Sequence, residues 1–137
     1  MTQRAKVKVL LFIGLPTVCA LAFLLIKFMD DPFFRTARTM GRLERIGTAS
    51  QEYFDSYGKW PENLLSLTSE QRWAGLITND AWGNTILYHP YQTNRGYGSL
   101  VTYGSDGIQG GTGKNADGAF YFGPGASVGA RSPIAIE

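Results

Sequence analysis

Leu100-Val101-Thr102-Tyr103-Gly104-Ser105-Asp106-Gly107-Ile108-Gln109-Gly110-Gly111-Thr112-Gly113-Lys114-Asn115-Ala116-Asp117 runs from β-favouring residues into a loop that no helix would tolerate. Glycine opens backbone conformations closed to other residues, and Gly96 to Gly129 holds 11 of the chain's 17 glycines. Two aspartates, Asp106 and Asp117, are set in this loop among many backbone carbonyls. Hard Ca²⁺ takes about six to eight oxygen ligands, which loops supply as carboxylates and carbonyls. Asp106 and Asp117 have the one-to-twelve spacing of an EF-hand loop, with Gly111 at the sixth place. Ile108 and Gly110 stand where that motif needs oxygen side chains, and no helices are expected on either flank. Gly110-Gly111-Thr112-Gly113 echoes a calcium β-roll repeat, in one copy where a roll needs several. On the loop alone, a calcium site and a plain turn at Asp106-Gly107 with a solvated Asp117 stand equally open.

Outward from the loop, Thr85 to His89 and Ser99 to Tyr103 are short β-favouring runs bounded by Gly, Asn and Pro, and Phe120-Tyr121-Phe122 reads as a last strand. Upstream the pattern is helical. Asp31 is placed to cap a helix that has Pro32 at its first position, where the missing N–H costs nothing. Met40, Leu43, Ile46, Tyr53, Phe54 and Tyr57 then recur at three-and-four spacing, an amphipathic stripe expected to pack on the rest of the domain. Arg38, Arg42, Arg45, Glu52 and Asp55 fall on the other face, read as solvated. Gly58 and Pro61 end the helix. Pro61 to Leu67 reads as a short helical turn, and Ser69 as the cap of another through Trp73. The fold class is therefore α+β: one amphipathic helix on a small antiparallel sheet, with a long glycine-rich loop.

The first third reads differently. Val9 to Ile26 is a run of 18 residues without a charge, which at about 1.5 Å per helical residue spans roughly the hydrocarbon core of a bilayer. Arg4, Lys6 and Lys8 precede it. A cleaved signal peptide is the competing reading, with Ala20-Leu21-Ala22 resembling a cleavage site, but cutting there would leave Phe23-Leu24-Leu25-Ile26 exposed. Lipidation at Cys19 is disfavoured by Val18 before it. The expected organisation is a cytoplasmic tail and single-pass anchor over residues 1–31, and a domain over residues 32–137 outside the membrane, with residues 122–137 a poorly ordered tail. Cys19 is the one cysteine, so the outer domain has no disulfide and must be held by packing or by an ion.

Several function classes are excluded on these grounds. The formal net charge of +2 arises at the anchor. Residues 29–137 carry nine Lys or Arg against eleven Asp or Glu, which argues against a nucleic-acid partner. His89 is the lone histidine, next to Pro90, so neither a zinc site nor a Cys–His pair can be built. The chain is read as non-enzymatic, without a small-molecule substrate.

Taken in order, Tyr53-Phe54, Tyr57-Gly58-Lys59-Trp60-Pro61, Leu64-Leu65, Asp80-Ala81-Trp82-Gly83-Asn84 and the glycine loop resemble the major pseudopilin of type II secretion systems, a relative of type IV pilins. The resemblance covers about residues 50 to 118. It implies a long N-terminal helix packed on a small antiparallel sheet, with Ca²⁺ in the C-terminal loop. The family's loop acids match Asp106 and Asp117, its preceding Ser/Thr matches Thr102, and its carbonyl donors match Leu100 and Ile108. Trp60 and Trp82 are then core residues. The implied function is a structural part of a type II secretion or type IV pilus-type apparatus. The implied location is the bacterial inner membrane with the C-terminal domain periplasmic, and the implied partners are the membrane, other pseudopilins or envelope proteins, and further copies of the chain. The chain departs from the family at its start. Gly14 is the candidate for the glycine before the processing site, Cys19 takes the fifth place after it where a Glu is usual, and no acid precedes Asp30. The alternative reading is a solitary anchored, calcium-stabilised binding or adhesion domain.

Overall fold

The computed structural model describes residues 17–28 and 30–126. The chain divides into two compact units between Phe34 and Arg35. In the first, residues 17–28 are helical (α1). Val18, Leu21, Phe23, Leu24, Leu25, Ile26 and Phe28 are all exposed along it. Among the described residues no helix is long and apolar enough to cross a membrane. The expected anchor was Val9 to Ile26, and its residues 9–16 lie outside the described residues, as do the cytoplasmic tail and Gly14.

Helix α2 runs Pro32–Tyr57. It starts where local chemistry dictates: Asp31 Oδ1 accepts the Phe33 amide at 2.8 Å, occupying one of the first-turn donors that have no helical partner. It stops at Gly58, which takes φ 68° while its amide closes on the Phe54 carbonyl at 2.7 Å, the left-handed ending that glycine permits. Helix α3, Leu64–Thr68, is capped by a reciprocal Asn63–Ser66 pair. The segment expected to be a further helix, Ser69 to Trp73, is instead a chain of turns, with Trp73 N donating to Glu70 O and Leu76 N to Trp73 O. These turns place the Trp73 ring against Tyr53 and its Nε1 on Glu52 Oε2 at 3.1 Å.

Three strands, β1 Leu87–Gln92, β2 Tyr97–Thr102 and β3 Gly118–Phe122, form one antiparallel sheet in sequence order. Strand β1 continues through Pro90, because an edge strand can lack a donor on its outer side. The register slips between His89 and Gln92 to accommodate it. Tyr88, Leu100 and Phe120 stand opposite one another across the three strands, as do Gly98 and Phe122 across β2 and β3. Residues paired in this way share a face, and this face meets α2. The core consists of Leu43, Ile46, Ala49 and Tyr53 from the helix, Leu67, Trp73 and Ile86 from the connections, and Leu100 and Phe122 from the sheet. Each fully buried aliphatic side chain contributes about 1.5–3 kcal/mol. Contact is closest at Gly47, where an added Cβ would come within 2.2 Å of Phe120 Cε1.

Trp60 stacks between Phe54 and Tyr91 at centroid distances of 4.6 and 4.9 Å and packs against the core. Trp82 differs from its expected core place. It is half-exposed and outside the core cluster, and Trp73 is the tryptophan buried there. Phe122 closes β3 inside the core at 4% exposure. The described chain continues to residue 126, and the remainder of the expected tail lies outside the described residues.

Candidate functional site

The loop between β2 and β3 begins and ends on paired backbone. Thr102 stands opposite Gly118, so the last residue of β2 and the residue after Asp117 are cross-strand neighbours at the neck of the loop. Inside, Ser105 N donates to Lys114 O at 2.8 Å and the Ser105 hydroxyl bonds the Asn115 side chain. Gly104, at φ 62°, lies where a Cβ would meet the Asn115 carbonyl carbon at 2.5 Å. A short 3₁₀ turn, Gly113–Asn115, brings the chain back. The glycines are therefore required by close backbone approach at the neck as well as by turn geometry.

The expected ligands are distributed unevenly. Leu100 is fully buried and paired on both sides, with Tyr88 and Phe120. Thr102 is 3% exposed and its hydroxyl donates to Asp80 Oδ2 at 2.7 Å. Asp106 is exposed, with Oδ1 accepting the Ile108 amide at 3.2 Å. Ile108 is also exposed. Asp117 is 7% exposed. Its Oδ2 accepts the Gly110 amide at 2.8 Å, and its Oδ1 is the buried side-chain oxygen left without a partner among the described residues.

That orphaned oxygen tests whether a cation fits. Buried polar atoms are nearly always paired, and a buried carboxylate oxygen without a donor is costly. A hard cation satisfies such an atom, and oxygen donors from carboxylate, hydroxyl and carbonyl groups are the set that Ca²⁺ prefers. Among the described residues no group of three or more His, Cys, Asp or Glu side chains is placed to hold a metal ion. A site here would rest on two acids with hydroxyl and carbonyl oxygens, which suits Ca²⁺ and not zinc.

One centre was not assigned from the sequence. Asp80, 1% exposed, heads the turn Asp80-Ala81-Trp82-Gly83-Asn84. Its Oδ1 accepts the amides of Trp82 and Asn84 at 2.9 and 2.8 Å, while Oδ2 takes the Thr102 hydroxyl. Asn84 Nδ2 donates to Gly104 O at 2.8 Å. On the opposite side, Arg42 donates to the carbonyls of Asn79 and Asp80 at 2.9 and 2.6 Å, and Thr39 Oγ1 accepts the Ala81 amide at 2.9 Å. The turn thus links α2, β2 and the loop. Arg42, read from its spacing as a solvated charge, is half-buried and engaged. The available signal was Asp and Asn flanking a glycine, a turn signature that gives no indication of what the turn grips.

Tyr88 donates its hydroxyl to Pro61 O at 2.8 Å, and burial pushes its phenol up to about 12. His89 is exposed opposite Ser99.

A family model described as type II secretion system, protein G, matches residues 35–119. Searches of the curated proteins and of the solved structures each gave no match. The matched span contains α2 from Arg35, the Asp80 turn, β1, β2 and the whole glycine loop. The chain therefore belongs to the protein G family of the type II secretion system, the major pseudopilins.

Proposed function

We propose that this chain is a structural subunit of a type II secretion or related pilus-type apparatus, held in the bacterial inner membrane by Val9 to Ile26 with its domain on the periplasmic side. Its family is structural and not enzymatic. Support for the anchor comes from the 18 uncharged residues and from the exposed apolar side chains of α1, since a helix apolar all round needs lipid or protein to cover it. Partners on this reading are other pseudopilins, envelope proteins of the apparatus and further copies of the chain.

The loop is proposed to hold Ca²⁺ through Asp106 and Asp117, with the Thr102 hydroxyl and the carbonyls of Leu100 and Ile108. The observation that carries this is the buried, unpartnered Asp117 Oδ1. When bound, the ion supplies positive charge to the acids and ties together both ends of a loop that has little core of its own. Asp117 then offers its free oxygen while Gly110 N holds the other, and the β2–β3 pairing keeps Thr102 beside the same strand. The test uses the full-length protein in detergent. Calcium at 100 times its Kd should stabilise the fold by about 2.7 kcal/mol, and Asp106→Ala and Asp117→Ala should lose that gain. A melting temperature indifferent to chelator in the wild type would dispose of the calcium site.

The second reading, a solitary anchored binding domain, is favoured by the absence of any acid before Asp30. N-terminal sequencing of the mature protein separates the two. A chain starting after Gly14 supports pilin-type processing, and an intact Met1 or Thr2 supports the solitary domain.

A further inference from the structure

We infer that Asp80 is a positioning residue for the loop's cation, acting through the Thr102 hydroxyl; this rests on the calcium reading above. An ionised carboxylate has no proton to give and only accepts, whereas a threonine hydroxyl has one proton and two lone pairs. With Asp80 Oδ2 accepting at 2.7 Å, the Thr102 proton is committed to the Asp80 side, and the lone pairs of Oγ1 are left for another partner. Thr102 is 3% exposed and faces Gly118 across the ladder, next to the residue that carries the unpartnered oxygen. A hydroxyl without a fixed acceptor has no fixed direction for its lone pairs, and one that turns its proton toward a metal ion cannot ligate it. Asp80 removes that option. Its other oxygen is occupied by the Trp82 and Asn84 amides, so the carboxylate has no second geometry to adopt.

The same turn also orients the start of the loop. Asn84, held by Asp80 Oδ1, donates to Gly104 O, and its side chain lies where a Cβ on Gly107 would come within 3.2 Å. Arg42 and Thr39 fix the turn on α2 from behind. Residues that contact a metal ligand and not the metal commonly set the ligand's orientation, and their loss typically costs about 10–100-fold in affinity. An Asn at position 80 could keep the Trp82 and Asn84 amides on its oxygen while presenting NH₂ to Thr102. That would force the hydroxyl to accept and consume one of the lone pairs the ion needs.

Calcium affinity is measured by titration calorimetry on the full-length protein in detergent, with the chelator-treated melt recorded in parallel. Variants are Asp80→Asn, Thr102→Ser, Thr102→Val and the double variant Asp80→Asn/Thr102→Val. Asp80→Asn should weaken Ca²⁺ binding by about 10–100-fold and Thr102→Ser should bind within about threefold of the wild type, whereas Thr102→Val should be weakened as Asp80→Asn is. In the Thr102→Val background, Asp80→Asn should cost nothing further, because residues acting through one contact are not additive. An unchanged affinity in Asp80→Asn, or full additivity in the double variant, overturns the inference while leaving the calcium site standing. A wild type that binds no Ca²⁺ defeats the underlying reading instead. If Asp80→Asn does not fold, the Thr102 pair decides: retention in Ser with loss in Val supports the inference, and equal affinities overturn it.

Discussion

Replacing Gly47 by alanine sets helix propensity against packing, and the structure says which wins. Mid-helix, Gly→Ala is worth about 1 kcal/mol in favour of the helix. At position 47 the new Cβ would lie 2.2 Å from Phe120 Cε1, 2.7 Å from Cδ1 and 3.3 Å from Cζ, where carbon atoms want about 3.5–4.0 Å. The ring would have to retreat by more than an ångström. Phe120 is paired with fully buried Leu100 and packs against the core, so the strain spreads into the helix–sheet seam. Overpacking of this kind costs about 1–3 kcal/mol, leaving a net loss of ~1 kcal/mol after the propensity gain. The full-length protein in detergent, unfolded by denaturant and followed by tryptophan fluorescence, should show a lower midpoint for Gly47→Ala. In a Phe120→Leu background the same substitution should lose its penalty and become neutral or stabilising. A midpoint raised by Gly47→Ala in the wild-type background would refute the close helix–sheet contact on which the fold description rests.

Two further outcomes follow from the buried groups. Tyr88 stays protonated to a pH of about 12 when folded, against 10.0 for a free phenol, so the folded state holds this proton where the unfolded chain has lost it. Stability from this group is complete below pH 10 and falls as pH rises towards 12, by ~1 kcal/mol once solvent screening at a partly exposed ring is allowed for. Alkaline melts should show the loss in wild type and a flatter profile in Tyr88→Phe, and equal profiles would count against the assignment. For Asp117→Asn the sign should depend on the ion. In chelator the variant should be at least as stable as wild type, by up to ~1 kcal/mol, since Gly110 N still has an oxygen to bond and the unpartnered Oδ1 of a buried carboxylate is gone. In saturating Ca²⁺ the wild type should be the more stable, and the same ranking in both conditions would contradict the proposed role of Oδ1.

Much of the architecture was legible because it is local. The Asp31-Pro32 start and the Gly58 stop of α2 are written within a few residues of each helix end, where capping acts. The stripe Leu43, Ile46, Tyr53 is a spacing, and spacing survives folding. Strand positions were approximate for the same reason: Pro90 reads as a boundary, yet its place on an edge strand lets β1 run past it with a register slip. The tryptophans were less legible. Trp73 and Trp82 look alike in sequence, and only packing against Tyr53 and Glu52 buries the first.

By itself the sequence determined an α+β chain with one amphipathic helix, a small antiparallel sheet, a glycine loop carrying Asp106 and Asp117, and the resemblance that the family match bears out. The tertiary structure decided how those loop residues differ. It left Asp106 in solvent, buried Asp117 with one oxygen unpartnered, and turned Asp80 from a turn residue into the contact between α2, β2 and the loop. The physical reason is distance along the chain. Arg42 and Asp80 are 38 residues apart, and Asp80 and Thr102 are 22 apart. A hydrogen bond between such groups is set by how the helix lies on the sheet, which no window of sequence contains.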